Sequence, residues 1–422
     1  MPFNRRSFLR LCATLALGAC SPGPHDYSEE DRERLRQQEA NELLRSGSGP
    51  FGPLVFEGYR DLARLDYFKL TKDGRLAITI DLPPVVDFHT HLGWSYFLAP
   101  QVDLLRRAER TQYLMDCDAQ VPPCELDLDV YVNSNFTDAM RSTLRWETLR
   151  SLVLGSPAAA THTIPNLLAE MEALAIRYAA VLPIAVRLPF SADPTIHQLE
   201  AISRAQVGER LLPFASVHPN DPKAVAKLRD YAHRGVHGVK LHPEMQRFYP
   251  DSDEAMAVYA ECEKLDLPVI FHAGRSGIEP EFMRPYALIR RLVRGVQQFP
   301  GVRFVFGHAG ARDSEEAAMV AREHDNVWLE LSSQGVTRIY ELHRDLGSTK
   351  LVYGSDWPFY PQAVALAKVL LVTEHNEPAR ERILATNASQ LLKLGGDRPT
   401  KHSPSGASEP GVSHTDHRGS AQ

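Results

Sequence analysis

The sequence predicts a closed (β/α)8 barrel, a TIM barrel, with a long insertion after its first strand. Three observations carry this. Short, nearly continuous apolar runs alternate with helix-patterned stretches along most of the chain; there are eight such runs; and no glycine-rich nucleotide loop follows any of them. Strands apolar on both faces belong to parallel sheets covered by helices on either side, and eight units favour closure over an open, doubly wound sheet.

In order, the runs are PVVDFH at 84, VLPIAV at 181, LLPFASV at 211, GVKLH at 238, PVIFHA at 268, VRFVFGH at 302, NVWLEL at 326 and KLVYGSD at 350. Between them, apolar periodicity predicts helices at 166–178, 222–233, 253–264, 286–298, 314–323 and 337–346. The span 95–165 is too long for an ordinary connection and carries helical patterns of its own, LLRRAERTQYLM and FTDAMRSTLRW. It is expected to cover the barrel mouth. Residues 54–83, with the alternation in RLAITIDL, add a small flanking piece, so the barrel unit runs over 54–395.

The two ends read differently. Residues 1–20 place Arg5, Arg6 and Arg10 before the small, apolar stretch LCATLALGA and then Cys20, the layout of a signal peptide. NRRSFLR resembles a twin-arginine export signal, with Asn4 in place of the usual Ser or Thr. LGAC resembles a lipoprotein cleavage box, which would make Cys20 a lipid anchor and the only membrane attachment of a periplasmic or cell-envelope protein. Residues 21–53 are polar and charge-rich and read as a tether with one solvated helix between Glu29 and Leu44. Residues 396–422 offer almost nothing to bury and are expected to be disordered.

Bulk composition narrows the function class. A content of 43% hydrophobic and 24% charged residues fits a globular chain with a sizeable core. A formal charge of −6 without a basic stripe argues against nucleic acid as a partner and leaves a small-molecule substrate as the expectation. Cys262 sits in a helical pattern as a buried thiol, whereas Cys117 and Cys124, in CDAQVPPC, are readable either as a local disulfide or as free thiols.

Chemistry collects at the strand ends. In DFHTH, His89 and His91 are two apart, so in a strand both leave the same face. Lys240 and His242 end the fourth run, His272 the fifth, His308 the sixth and Asp356 the eighth. In a barrel these ends converge on one face, where such folds keep their active sites.

The stretches DFHTH, GVKLHP, FHAG, FGHAG and GSDWP, with TNASQLLKL at 386, resemble the amidohydrolase superfamily and its amidohydrolase-related (amidohydrolase 2) branch over about residues 84–394. The resemblance implies that His89, His91, His272 and Asp356 ligate one divalent cation, zinc by donor type. It further implies that Asp356 takes a proton from an activated water and that His308 steadies the carbonyl oxygen. Lys240, with His242 beside it, is the position that a two-metal site with a carboxylated lysine would use; the one-metal arrangement is the expectation. Arg275 is placed to hold a substrate carboxylate, and Trp94, Tyr96 and Trp357 to wall the pocket. The implied activity is hydrolysis of an amide, lactone or ester-like bond, the alternative being non-oxidative decarboxylation of an aromatic or muconate-type acid.

Overall fold

The computed structural model describes residues 27–95, 99–188 and 191–395. The expected signal segment with Cys20, the tail from 396 and Tyr96 lie outside the described residues.

Eight parallel strands form the barrel: β1 (Val85–Thr90), β2 (Ile176–Val181), β3 (Leu211–Pro213), β4 (Val239–Leu241), β5 (Val269–His272), β6 (Phe304–Gly307), β7 (Val327–Glu330) and β8 (Leu351–Val352). Strands β1 to β3 pair in one sheet and β4 to β8 in another. Backbone bonds then join the two sheets at both seams. Ala215 N donates to Gly238 O and Lys240 N to Ala215 O, each at 2.8 Å; on the other side Phe88 N donates to Tyr353 O at 3.0 Å and Asp356 N to His89 O at 2.8 Å.

The described helices used below are α1 (Glu29–Arg45), α2 (Asp138–Ser151), α3 (Ile164–Ala173), α4 (Pro194–Ala205), α5 (Ala224–His233), α6 (Asp253–Lys264), α7 (Ser314–Glu323), α8 (Val336–Leu346), α9 (Gln362–Val372) and α10 (Asn387–Leu392). Val86, Phe88, Ala180, Leu182, Leu212, Phe214, Ile270, Val305 and Val352 come from six strands and pack as one cluster, which fills the barrel. Ala388, Leu391 and Leu392 of α10 close it from below. Alternate strand residues, among them Val269, Phe271, Phe304, Phe306 and Leu329, face outward into the layer shared with the helices.

Four expectations need correction. The second strand is Ile176–Val181 rather than the run from 181: Arg177 and Tyr178 hide its apolar character, while Pro183 in the later run lacks the N–H a central strand requires. The stretch 104–115 is not helical. It is a series of turns and bends whose end lies beside the loop after β8, with Leu114 N and Met115 N donating to the carbonyls of Pro358 and Phe359. The helix expected at 286–298 is broken at Leu288, because Tyr286, Ala287, Leu288 and Ile289 are all buried and four adjacent side chains cannot share one helix face. Finally, the helix within the tether is docked, not solvated.

That helix, α1, buries Tyr27 ahead of it and Asp31 and Leu35 along one side, a stripe of spacing four. Ser28 and Asp31 cap its start reciprocally. Asp31 accepts from Arg290 through both oxygens at 2.7 and 2.8 Å, and Glu42 accepts from Tyr131 N at 2.9 Å and Ser134 Oγ at 2.7 Å. The docking face is mostly polar, so apolar periodicity could not reveal it. In the insertion, α2 forms where FTDAMRSTLRW predicts a helix, Glu125–Asp127 pairs antiparallel with Val55–Glu57 of the flanking piece, and Cys117 and Cys124 form a disulfide. Two of the helices named above are not predicted by the sequence pattern. Helix α4 starts on an Asp193 cap followed by Pro194, and α9 is buried nearly all round and so has no period to read.

Candidate metal centre

At the C-terminal rim of the barrel, β1 delivers His89 and His91 while the turn after β8 delivers Asp356. Backbone bonds set these three relative to one another: Asp356 N donates to His89 O at 2.8 Å and His91 N to Trp357 O at 2.7 Å. Asp87 adds a tie below them, accepting from His89 N at 3.1 Å, Ser355 N at 2.9 Å and Gln362 Nε2 at 2.7 Å. Its burial raises its pKa to about 6 against those bonds. Asp356 itself holds φ +59°, a conformation unusual for a non-glycine residue and common at functional positions.

The imidazole tautomers follow from their partners. Oε2 of Glu330, at the end of β7, accepts from His308 N at 3.1 Å and Ser332 Oγ at 2.9 Å, so His89 Nδ1, 2.7 Å away, is a donor to it. His91 Nδ1 donates to the Leu182 carbonyl at 2.7 Å. Both Nε2 atoms therefore carry lone pairs, and they face each other at 3.2 Å. Asp356 Oδ1 lies 3.5 Å from one and 3.4 Å from the other. Two lone pairs and a carboxylate oxygen brought this close repel unless a positive charge offsets them. The Lys240 ammonium, 3.1 Å from His89 Nε2, does so in part, and the spacing suits ligands of one ion at about 2.1 Å. Glycine at 354 is required here, because a Cβ would strike Glu330 Oε1 and the His89 Cβ.

Lys240, on β4 and almost fully buried, points its Nζ at His89 Nε2 from 3.1 Å. Burial lowers its pKa to about 8 against the pull of Asp356 and Glu330. Burial, then the Lys240 charge, holds His89 well below the usual histidine range; burial followed by Lys240 takes His272 down to about 3. Neutral imidazoles are what a divalent cation needs.

On the opposite side, His308 Nδ1 donates to Ser332 Oγ at 2.9 Å, leaving its Nε2 to accept from His272 Nδ1 at 3.0 Å. His272 Nε2 then carries a lone pair 3.3 Å from Glu244 Oε2, without a hydrogen bond of proper geometry. The structure thus gathers His89, His91 and Asp356 tightly, while His272 stands across from them, bonded to His308. His242, Glu244 and His272 form a further group of donor atoms, but the His242 and His272 rings stack at 4.1 Å and 8°, which keeps their lone pairs parallel rather than convergent.

Two pocket expectations are overturned. Arg275 is turned to other partners: it is 1% exposed, with Nε bonded to Asp313 Oδ2 at 2.8 Å, a second bond to Asp313 Oδ1, and bonds to the Tyr27 hydroxyl and the Asp31 carbonyl. Its carboxylate is supplied by the chain itself. Trp357 is fully buried and donates Nε1 to Glu170 Oε2 at 2.9 Å, so it packs behind the site instead of walling it. Trp94 stays half-buried beside His162, ring centroids 5.5 Å apart. Glu330, Glu244 and Asp87 were missed. For Glu330 and Asp87 a signal existed, since an acid inside a strand buried on both faces has to have a partner.

The family model described as amidohydrolase (Amidohydro_2) matches residues 86–394. No curated protein sequence matches the chain. Among solved structures, an uncharacterised TIM-barrel protein from Bordetella bronchiseptica is 19% identical, with a TM-score of 0.51, over 73% of this chain and 98% of its own. A 2,6-dihydroxybenzoate decarboxylase from Rhizobium is 16% identical with a TM-score of 0.46, over 74% of this chain and 100% of that one. A 5-carboxyvanillate decarboxylase from Sphingomonas paucimobilis is 17% identical with a TM-score of 0.46, over 56% and 86%. With the family match spanning the whole barrel and every strand end that bears the converging groups, the chain belongs to the amidohydrolase family.

Proposed function

We propose that the chain is a divalent-metal enzyme that breaks a bond at a carboxyl-type carbon of a small molecule. The observation that carries this is the convergence of the His89 and His91 lone pairs on Asp356 Oδ1. His89, His91 and Asp356 would hold the ion; His272, whose Nε2 faces Glu244 here, is the fourth ligand that the family resemblance implies. When bound, the cation supplies Lewis acidity towards a substrate oxygen. Glu330 keeps His89 in the tautomer that presents Nε2, as partners of ligating histidines do. Asp356 exchanges the proton in flight. His308, which the family resemblance assigns to the oxygen on which charge develops, bonds it through Nε2 only as the imidazolium, once the bond from His272 is released.

Two chemistries fit this machinery. One is hydrolysis of an amide, lactone or ester-like bond. The other is non-oxidative decarboxylation of an aromatic or muconate-type acid. Lys240 favours the second, because its buried ammonium beside His89 offers a substrate carboxylate a partner next to the ion. The deciding experiment incubates metal-loaded enzyme with panels of aryl carboxylic acids and of lactones and amides in ¹⁸O-water. Release of carbon dioxide without label in the product selects decarboxylation; labelled acid selects hydrolysis. Protein that takes up no zinc or manganese on elemental analysis sinks the reading.

Export and a lipid anchor at Cys20 complete the proposal. Their support is NRRSFLR with LGAC, together with the Cys117–Cys124 disulfide, a bond typical of oxidising compartments.

A further inference from the structure

We propose that α1 is a clamp that sets the two loops carrying His272 and His308, with Asp31, Tyr27 and Arg275 as positioning residues. The functional half of this rests on the metal-centre reading above. Helix α1 precedes the family match, which begins at residue 86.

The loop after β6 needs holding. His308, Ala309 and Ala311 take φ values of +54°, +47° and +50°, conformations that disfavour side chains and persist only when the surroundings enforce them. From inside, Gln334 Nε2 donates to the carbonyls of His308 at 2.6 Å and Ala311 at 2.8 Å. From the side, the loop after β5 is pressed against it: Gly274, at φ +76°, has no room for a Cβ beside the Gly310 carbonyl. The Arg275 guanidinium binds both Asp313 oxygens, Arg275 N donates to Asp313 Oδ2 at 3.0 Å, and Arg312 N donates to Arg275 O at 3.1 Å. The two loops are one unit around a buried ion pair.

Helix α1 covers that unit. The Tyr27 hydroxyl and the Asp31 carbonyl accept from Arg275 Nη1, and Glu42 Oε2 lies 3.3 Å from Arg312 Nε. The helix is pinned by the Asp31 carboxylate on Arg290. Arg32 to Glu281, Arg45 to Glu341 and Glu42 to Tyr131 N tie the helix elsewhere. In the clamp, the Asp31 pin is the one that seals the Arg275–Asp313 pair from water, so that its removal loosens the loops that orient His272 and His308.

The test compares full-length protein with Arg290→Ala, which leaves the helix cap and the Arg275 pair intact, with Arg290→Lys as a conservative partner and Asp31→Ala as an independent second break. Hydrogen exchange, normalised for intrinsic rates, is read at α1 and at residues 273–276 and 308–313, and Mn²⁺ affinity is measured by titration. The clamp requires exchange to rise about tenfold both in α1 and in the two loops, Mn²⁺ binding to weaken severalfold, and Arg290→Lys to restore most of both. Loops that stay as protected as before while α1 exchanges freely overturn it. So does an α1 that stays protected in both broken variants, or loosened loops with unchanged Mn²⁺ affinity. If the unaltered protein binds no ion, the metal-centre reading falls, and the exchange comparison still decides the clamp.

Discussion

The two sides of the rim are built on different principles. On the side of β1 and β8, His89, His91 and Asp356 are fixed by main-chain bonds between adjacent strands and by Asp87 beneath them. On the side of β5 and β6, His272 and His308 bond to each other, and their loops are braced by a salt bridge and a helix more than two hundred residues away in sequence. Strand register holds one side and tertiary bracing the other. The first side is therefore expected to tolerate loss of the N-terminal helix, whereas the second is not.

The sharpest way to break the first side is Asp356→Asn. Turnover should fall by about a thousandfold or more, with bound metal reduced and the circular dichroism spectrum unchanged. Elemental analysis and steady-state rates check this; normal turnover would remove Asp356 from the chemistry. On the second side, Arg275→Ala strands Asp313 as a buried charge and should cost about 3–5 kcal/mol in urea unfolding. A surface role, or the substrate contact expected from sequence, would instead leave stability within about 0.5 kcal/mol.

Smaller effects sharpen the contrast. Glu330→Gln weakens the hold on the His89 tautomer and should lower metal affinity by about 10- to 100-fold. An unaltered dissociation constant would show that β1 alone orients the ring.

The smallest effect is acid-driven. Burial raises the Asp31 pKa, but the Arg290 bonds and the Ser28 backbone N–H outweigh it and hold the carboxyl well below its ordinary value. A depressed folded pKa contributes stability above the unfolded value, near 4, and loses it as pH falls further. Protection of α1 should hold from neutral pH down to about 5 and decline below about 4, by less than about tenfold because Arg290 is half in water. The barrel strands should show no matching decline over that interval.

How much could be read beforehand follows the same division. Seven of the eight strands lie where a buried apolar run marks them, and the pair His89 and His91 shares a face because a strand repeats every two residues. The second strand was displaced because Arg177 interrupts it, and α9 was invisible because a helix buried all round has no polar stripe. Arg275 illustrates the limit. Three residues past His272, it looked placed for a substrate, yet its partner is Asp313, brought to it by the meeting of two loops.

Local chemistry by itself determined the barrel, the insertion and the residue types at the strand ends, since periodicity and donor identity are properties of short stretches. Tertiary structure alone decided which lone pairs meet, that Glu330 selects the His89 tautomer, and that a polar helix from the supposed tether packs over the loops after β5 and β6. Those outcomes depend on hydrogen bonds between residues far apart in the chain, and each such bond takes its meaning only when folding has buried both partners.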